Sequence, residues 1–170
     1  TSDNFLQDYW KRIPTDLKGN LQWRLKLNQE LNQDLKAQQT FLQVCLEFPP
    51  IAFNSLFCTF NPRASPRKRH LPFILRDAQV EAVMKIKEAI ETGHDLLINK
   101  SRDEGATWLI TSMFFLYWLL VPDSVFLVAS RKEDLVDKAG NRDCLFYRFL
   151  YLNQTLPSWC QVGNAIKTHL

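Results

Sequence analysis

The chain has 170 residues, of which 46% are hydrophobic and 23% are charged, and its formal net charge is +3. This apolar content is enough for one sizeable hydrophobic core, so we expect a single domain or part of one. The net charge is too small to require a nucleic-acid partner. The four cysteines lie far apart without a C-x-x-C pair, which argues against a zinc site or a disulfide framework and favours reduced thiols in a cytoplasm.

Residues 1–50 have a helical pattern and are rich in glutamine, asparagine and lysine. Pro14 breaks a short first helix, and Thr15 is expected to cap the second by accepting a hydrogen bond from a following N–H group. Leucines repeat every four residues in two series, Leu17, Leu21, Leu25 and Leu27, Leu31, Leu35. This helical N-terminal segment either packs as a hairpin on the rest of the chain or presents a surface to a partner subunit.

Residues 51–70 combine spaced phenylalanines with a proline-containing, cationic stretch, which predicts an exposed loop. The cations of this loop are Arg63, Arg67, Lys68 and Arg69. Two interpretations stay open. The loop is either a solvated charged linker or a surface that contacts DNA phosphates without reading sequence.

The rest of the chain alternates helical and strand patterns. Asp77 is expected to cap a helix that runs to about residue 91, and Gly93 is expected to end it. The apolar run 108–121 is too short to span a membrane and predicts a buried helix. Two further helices are expected from about Glu133 and Leu145.

Two short apolar segments, residues 96–99 and 125–129, are predicted to be strands. A helix between them implies a parallel pair with a right-handed crossover. The predicted fold class is therefore α/β, with a partial P-loop-like parallel sheet preceded by the helical segment. The loop after residue 99 would then lie at the carboxyl end of the sheet, where α/β proteins bind ligands.

That loop reads K-S-R-D-E-G-A-T from Lys100 to Thr107. Compared with the phosphate-binding pattern G-x-x-x-x-G-K-[ST], the second glycine matches at Gly105 and the hydroxyl at Thr107. Lys100 stands where the first glycine is usual, and Ala106 where the lysine is usual. The loop is either a degenerate P-loop, whose backbone N–H groups attract phosphate at a helix N-terminus, or a charged turn that binds nothing.

Other segments occur around this loop in a defined order. Pro72-Phe73-x-Leu75-x-x-x-Gln79 precedes it, the loop continues into Trp108, and K-E-D-L-V-D follows the second predicted strand. In this order the chain resembles the start of the ATPase domain of phage terminase large subunits, the motors that package viral DNA. The resemblance extends over roughly residues 53–159. It implies an ATP- and Mg²⁺-binding protein of phage or prophage origin in the bacterial cytoplasm.

The resemblance also implies partners and residue roles. The partners would be double-stranded DNA, bound weakly and without sequence preference, together with the small terminase subunit and the portal, with no membrane. Arg102 would be catalytic, stabilising charge on the γ-phosphate, unless it pairs with Asp103 or Glu104. Thr107 would hold Mg²⁺ through its hydroxyl, and Lys100 would reach the β- and γ-phosphates. The nucleotide-binding set would be Arg76, Gln79, Lys100, Ser101, Gly105, Ala106 and Thr107, with Gln79 and Arg76 at the adenine.

One expected feature is missing from the pattern. An ATPase needs an acidic residue after a second core strand, but residues 125–129 are followed by Ser130 and Arg131, and Asp137 lies in a helical pattern. The family's nuclease carboxylates have no counterpart either. Residues 51–170 are therefore expected to form a partial ATPase domain that ends before the acidic motif. The alternative is a non-catalytic, truncated remnant that acts as a helical interaction module.

Overall fold

The computed structural model of the protein describes residues 2–101 and 104–163. The described part is a mixed α/β structure that is mostly helical. Its helices are α1 (Ser2–Lys11), α2 (Leu17–Leu31), α3 (Leu35–Glu47), α4 (Pro50–Ser55), α5 (Asp77–Thr92), α6 (Ala106–Leu120), α7 (Glu133–Val136) and α8 (Leu145–Thr155). Its strands are β1 (Cys58–Phe60) and β2 (His70–Pro72), and short 3₁₀ turns lie at Pro66–Lys68 and Ser158–Cys160.

The N-terminal helices begin at aspartate caps. Asp16 accepts a hydrogen bond from the Gly19 N–H at 2.8 Å, and Asp34 accepts one from the Ala37 N–H at 3.0 Å. A carboxylate at this position satisfies an unpaired N–H group and interacts favourably with the positive end of the helix. The prediction that Thr15 caps α2 was wrong by one residue, because the aspartate lies three residues before the N–H group that needs an acceptor.

A buried polar network fixes α2 on α4. The Arg24 guanidinium donates to the carbonyl oxygens of Phe53 and Phe57 at 2.9 and 2.8 Å and to the Asn20 side-chain oxygen at 2.8 Å. The Asn20 amide in turn donates to the Asn54 carbonyl at 2.9 Å. A single cluster of buried apolar side chains extends from α1 to the 3₁₀ turn at the end of the described chain. The helical segment therefore shares its core with the residues that follow it.

The leucine series of α2 are not equivalent. Leu27 and Leu31 are buried in the core, whereas Leu17, Leu21 and Leu25 are 47%, 46% and 65% exposed. Leu35, the third member of the second series, is the first residue of α3 and is 74% exposed. The four-residue spacing therefore marks a buried pair and a stripe that faces solvent on α2, and it does not extend as a buried stripe into α3.

The sheet of the described part is antiparallel. β1 pairs with β2 in the register Cys58–Pro72, Thr59–Leu71 and Phe60–His70. The cationic loop of residues 61–69 connects the two strands. The Tyr151 hydroxyl of α8 donates to the Thr59 carbonyl at 3.2 Å, so α8 holds the strand pair against the core.

The predicted parallel strand pair is not formed within the described residues. Residues 96–99 and 125–129 belong to no strand there. Phe126 stacks on Phe114 of α6 with ring centroids 4.5 Å apart, but Leu97, Val125 and Leu127 are 94%, 91% and 91% exposed. Each segment thus packs one side on the core and leaves apolar side chains uncovered on the other. The physical reason for the difference is that no neighbouring strand in the described part pairs with either segment.

The two helices that flank the candidate loop have well-defined ends. α5 begins after Arg76, so the prediction that Asp77 is its cap was wrong by one residue; Asp77 is its first residue. Its predicted end is confirmed, since Gly93 adopts the left-handed conformation at φ 70°. α6 is largely buried and packs against α5 and α8. Among the residues described, no helix is both long and apolar enough to cross a membrane.

Candidate functional site

The candidate site is the turn that leads into α6. Gly105 precedes the helix at φ 76°, a left-handed conformation in which an L side chain is strained, and its carbonyl accepts the Leu109 N–H at 3.0 Å. Ala106 and Thr107 form the first turn of α6, where backbone N–H groups have no partner inside the helix. The predicted glycine and hydroxyl thus lie where a helix N-terminus opens, and Thr107 is exposed.

The start of α6 is held in place by α8. The Trp108 ring packs edge-on against Tyr151, with ring centroids 5.8 Å apart, and the Arg148 guanidinium lies 5.3 Å from the centroid of the Trp108 ring. Burial lowers the pKa of Arg148 from its ordinary value. These contacts fix the direction in which the first N–H groups of α6 point.

Glu104 is the centre of the hydrogen bonds around the turn. Its carboxylate pairs with the Arg76 guanidinium at 2.7 Å and accepts a hydrogen bond from the Ser101 hydroxyl at 3.3 Å. Its backbone carbonyl accepts a hydrogen bond from the Gln79 amide nitrogen at 3.1 Å. The Gln79 amide oxygen accepts the Arg76 N–H at 3.1 Å. The turn is therefore tied to the N-terminal end of α5.

The structure brings most of the predicted site residues together. Arg76, Gln79, Ser101 and Gly105 lie around Glu104, and Ala106 and Thr107 follow directly. Lys100 is exposed at the start of the turn. The predicted catalytic residue Arg102 lies outside the described residues, as does Asp103. The predicted alternative partner of Arg102, Glu104, is engaged by Arg76.

Sequence reasoning missed the role of Glu104. It treated this residue as an alternative partner of Arg102 and did not predict its contacts with Arg76 and Gln79. A carboxylate near a helix N-terminus is favourable in itself, so no local signal in the sequence pointed to a cation as the partner of Glu104. Arg76 and Glu104 are 28 residues apart in the sequence, so only the fold shows that they pair.

A magnesium ion would find few protein ligands in this region. No group of three or more His, Cys, Asp or Glu side chains within residues 2–101 and 104–163 is placed to hold a metal. Mg²⁺ usually retains several waters and is bound through one or two protein oxygens together with substrate phosphates. The exposed Thr107 hydroxyl fits that mode, in which the phosphates supply the main ligands.

The predicted DNA surface forms the connection between β1 and β2. Arg63, Arg67 and Lys68 are exposed, whereas the Arg69 guanidinium donates to the Ala64 carbonyl at 3.0 Å. Three of the four cations are therefore directed to solvent, and the fourth shapes the turn that presents them.

Comparisons of the chain with protein-family models, with curated proteins and with solved structures found no match. The function must therefore be argued from the sequence pattern and from the geometry of the turn. Two features of that geometry are chemically informative. One is a left-handed glycine that opens a buried helix beside an exposed lysine, and the other is the tether from Glu104 to α5.

Proposed function

We propose that the chain is the N-terminal, ATP-binding part of a terminase-type motor that translocates viral DNA, and that residues 100–107 bind the phosphates of Mg-ATP. The observation that carries the proposal is Gly105 at φ 76° immediately before α6. A glycine in this conformation lets a phosphate approach the backbone, and the helix N-terminus behind it attracts negative charge. The order of motifs around the loop supports the same function.

Three residues of the loop have a chemical role in this proposal. Lys100 is exposed and its flexible stem reaches the β- and γ-phosphates, while Thr107 offers a hydroxyl ligand to Mg²⁺. The bound metal ion neutralises charge on the phosphate oxygens. Arg102 is the candidate for stabilising the γ-phosphate in the transition state.

The same proposal includes the parallel sheet. Central strands of such sheets are apolar on both faces because helices cover each face. Residues 96–99 and 125–129 have this composition, and the exposure of Leu97, Val125 and Leu127 is what such strands show when one covering layer is absent. We expect polypeptide outside the described residues to pair with these segments and to cover the exposed leucines.

Titration calorimetry with Mg-ADP and with a non-hydrolysable Mg-ATP analogue tests the proposal. Wild-type protein is expected to bind both nucleotides weakly. Lys100→Ala should weaken binding by about tenfold or more, since it removes a charge-assisted contact worth about 1.4 kcal/mol or more. Lys36→Ala is the matched control, because Lys36 is an exposed lysine on α3. Absence of binding to wild-type protein at millimolar nucleotide would refute the proposal.

Turnover is a separate expectation. The sequence lacks an acidic residue after residues 125–129, and the carboxylate that holds the metal and positions water in related ATPases is therefore not supplied there. This chain alone should bind nucleotide with little or no hydrolysis. A phosphate-release assay that gives rates of about 1 to 100 per second would contradict this expectation.

Weak, sequence-independent binding to duplex DNA is the second part of the proposed function. Arg63, Arg67 and Lys68 are exposed on one loop, and each phosphate contact should add about 0.9 to the slope of log affinity against log salt. Fluorescence anisotropy at low and moderate salt measures that slope. Replacing the three exposed cations by serine should abolish binding, whereas replacing Lys26, Lys36 and Lys85 should not. Equal loss in both triple variants would show a general charge effect.

A second candidate function is supported by the exposed stripe of α2. Leu17, Leu21 and Leu25 are 46–65% exposed along one face of this helix, which is the pattern of a helix that docks on a partner. In this alternative the chain is a non-catalytic interaction module, and its partner is the small terminase subunit or the portal. Co-purification with those proteins, and its loss in Leu21→Lys but not in Lys26→Ala, would favour this function over nucleotide binding.

A further inference from the structure

We infer that residues 123–131, here called the edge segment, pair in antiparallel fashion with the edge segment of a second copy of the chain. The inference rests on that part of the proposed function in which further polypeptide pairs with the two apolar segments, and it names the partner of one of them. The interface is a symmetric strand pair centred on Leu127.

The edge segment has the exposure pattern of a strand with one face on the core. From residue 124 to residue 129, half-buried and exposed side chains alternate strictly, as they do on an extended backbone. Phe126 anchors the inner face by stacking on Phe114 with ring centroids 4.5 Å apart. Val125 and Leu127 are both 91% exposed on the outer face. The segment is therefore extended and held on α6 before a partner binds.

The backbone of the edge segment has hydrogen-bonding groups to offer. Within residues 2–101 and 104–163, no backbone N–H or carbonyl group of residues 125–131 forms a hydrogen bond. An extended segment with unpaired backbone groups and uncovered apolar side chains is a template to which another extended segment adds as a strand. The chemistry of the partner is thus that of a second strand.

The order of residues in the edge segment favours a second copy as that partner. The residues D-S-V-F-L-V-A-S-R are self-complementary about Leu127. In an antiparallel register centred there, the residues that face each other are Asp123 and Arg131, Ser124 and Ser130, Val125 and Ala129, Phe126 and Val128, and Leu127 and Leu127. Apolar side chains therefore meet apolar ones, serines meet serines, and opposite charges meet at both ends.

The charges at the two ends also determine the direction of pairing. Asp123 and Arg131 are exposed, and neither forms an ion pair in the part of the chain that the structure describes. Parallel pairing in the same register would place each of them beside its own copy, and like charges directly opposite each other are destabilising. The antiparallel arrangement has two-fold symmetry, so it closes as a dimer. It leaves the other edge of the segment free for the parallel neighbour of a mixed sheet.

Sedimentation velocity over the micromolar to millimolar range tests the inference. The wild-type chain is expected to show a monomer–dimer equilibrium. Leu127→Lys and Leu127→Glu each place like charges at the two-fold axis and remove an apolar pair, so each should weaken the dimer by about tenfold or more. An equimolar mixture of the two variants should restore the dimer, because each cation then faces an anion. Leu25→Lys is the matched control, since Leu25 is an exposed leucine on α2.

Thermal unfolding should be unchanged in the Leu127 variants because this side chain is exposed. A wild-type chain that stays monomeric at millimolar concentration would overturn the inference. So would a dimer that Leu127→Lys leaves intact, equal weakening by Leu25→Lys, or no recovery of the dimer in the mixture. Nucleotide calorimetry gives a separate result. A dimer without nucleotide binding would refute ATP binding alone, and nucleotide binding by a strictly monomeric chain would refute the second-copy interface alone.

Discussion

Arg24 offers the sharpest test of how the helical segment is joined to the rest of the molecule. It lies on α2, and its guanidinium bonds to the carbonyl oxygens of Phe53 and Phe57 and to the Asn20 side chain. Burial lowers the pKa of Arg24 to about 10, so the group remains charged at neutral pH. We therefore examine the change Arg24→Met, which keeps an apolar stem of similar length and removes every donor.

The expected magnitude follows from the two acceptors that lose their partner, the Phe53 carbonyl and the Asn20 side-chain oxygen, because the Phe57 carbonyl keeps the hydrogen bond from the Phe73 N–H at 2.9 Å. An acceptor left unpaired in the interior costs about 1–3 kcal/mol. Arg24 is half-buried, so water reaches part of the vacated space, and the lower end of the range applies to each acceptor. Two acceptors at about 1 kcal/mol each give an expected loss of about 2 kcal/mol. That is a large part of the 5–15 kcal/mol by which a typical domain is stable.

Urea denaturation followed by tryptophan fluorescence measures the loss as a shift of the midpoint at constant slope. Lys26→Met is the matched control on the same helix. Lys26 is exposed and pairs with Glu30 at 3.8 Å, so its replacement should change the free energy of unfolding by less than about 0.5 kcal/mol. A loss below about 1 kcal/mol for Arg24→Met would show that the network does not join α2 to α4 as argued.

Two further predictions concern buried groups. Ser112 is fully buried and its hydroxyl has no hydrogen-bond partner in the described part of the chain, so Ser112→Ala should leave the free energy of unfolding unchanged or raise it by up to about 1 kcal/mol in urea titrations. Burial raises the pKa of Cys160 to about 11 from 9.0, so the unfolded chain ionises first and stability should fall as pH rises from 9 to 11. The pKa of Tyr9 is raised to about 12, mainly by burial. Ionisation of Tyr9 therefore lowers the stability of the fold only above pH 10. The fall between pH 9 and 10 should therefore be smaller in Cys160→Ala, and an equal fall would contradict the assignment.

Local signals in the sequence were sufficient for most helices. The end of α5 at Gly93 could be predicted because the left-handed C-cap depends on one glycine and the turn before it. The caps of α2 and α5 were each misplaced by one residue. Neighbouring threonine, aspartate and arginine residues can all precede a helix, and the choice depends on which backbone N–H group lies within reach.

Contacts between distant residues could not be read from local patterns. The three-residue strands β1 and β2 pair across a cationic loop with two prolines, and such short strands give no alternating pattern. Arg24 similarly looks like a surface residue of an amphipathic helix. Its role depends on carbonyl groups 29 and 33 residues later in the chain.

The predicted strands at residues 96–99 and 125–129 show that composition predicts the burial of a segment and does not predict its pairing. Apolar side chains on both faces indicate a segment that packs on two sides, and the described residues cover only one of them. Strand pairing, however, requires a neighbour, and composition does not say where that neighbour comes from. The exposed Leu97 and Leu127 are therefore compatible with a strand prediction that depends on further polypeptide.

At the candidate loop, too, the hydrogen-bond partners of individual side chains could not be predicted from the sequence. Sequence reasoning selected Arg76 and Gln79 together with the loop, and the structure brings them within hydrogen-bonding distance of it. Their chemistry alone did not decide what they bind, because an amide or a guanidinium can meet a base or a backbone carbonyl equally well. In the structure both groups bond to Glu104, the Arg76 guanidinium to its carboxylate and the Gln79 amide to its backbone carbonyl. These partners lie 28 and 25 residues apart in the sequence, so the contacts depend on the fold and could not be predicted from the two side chains alone.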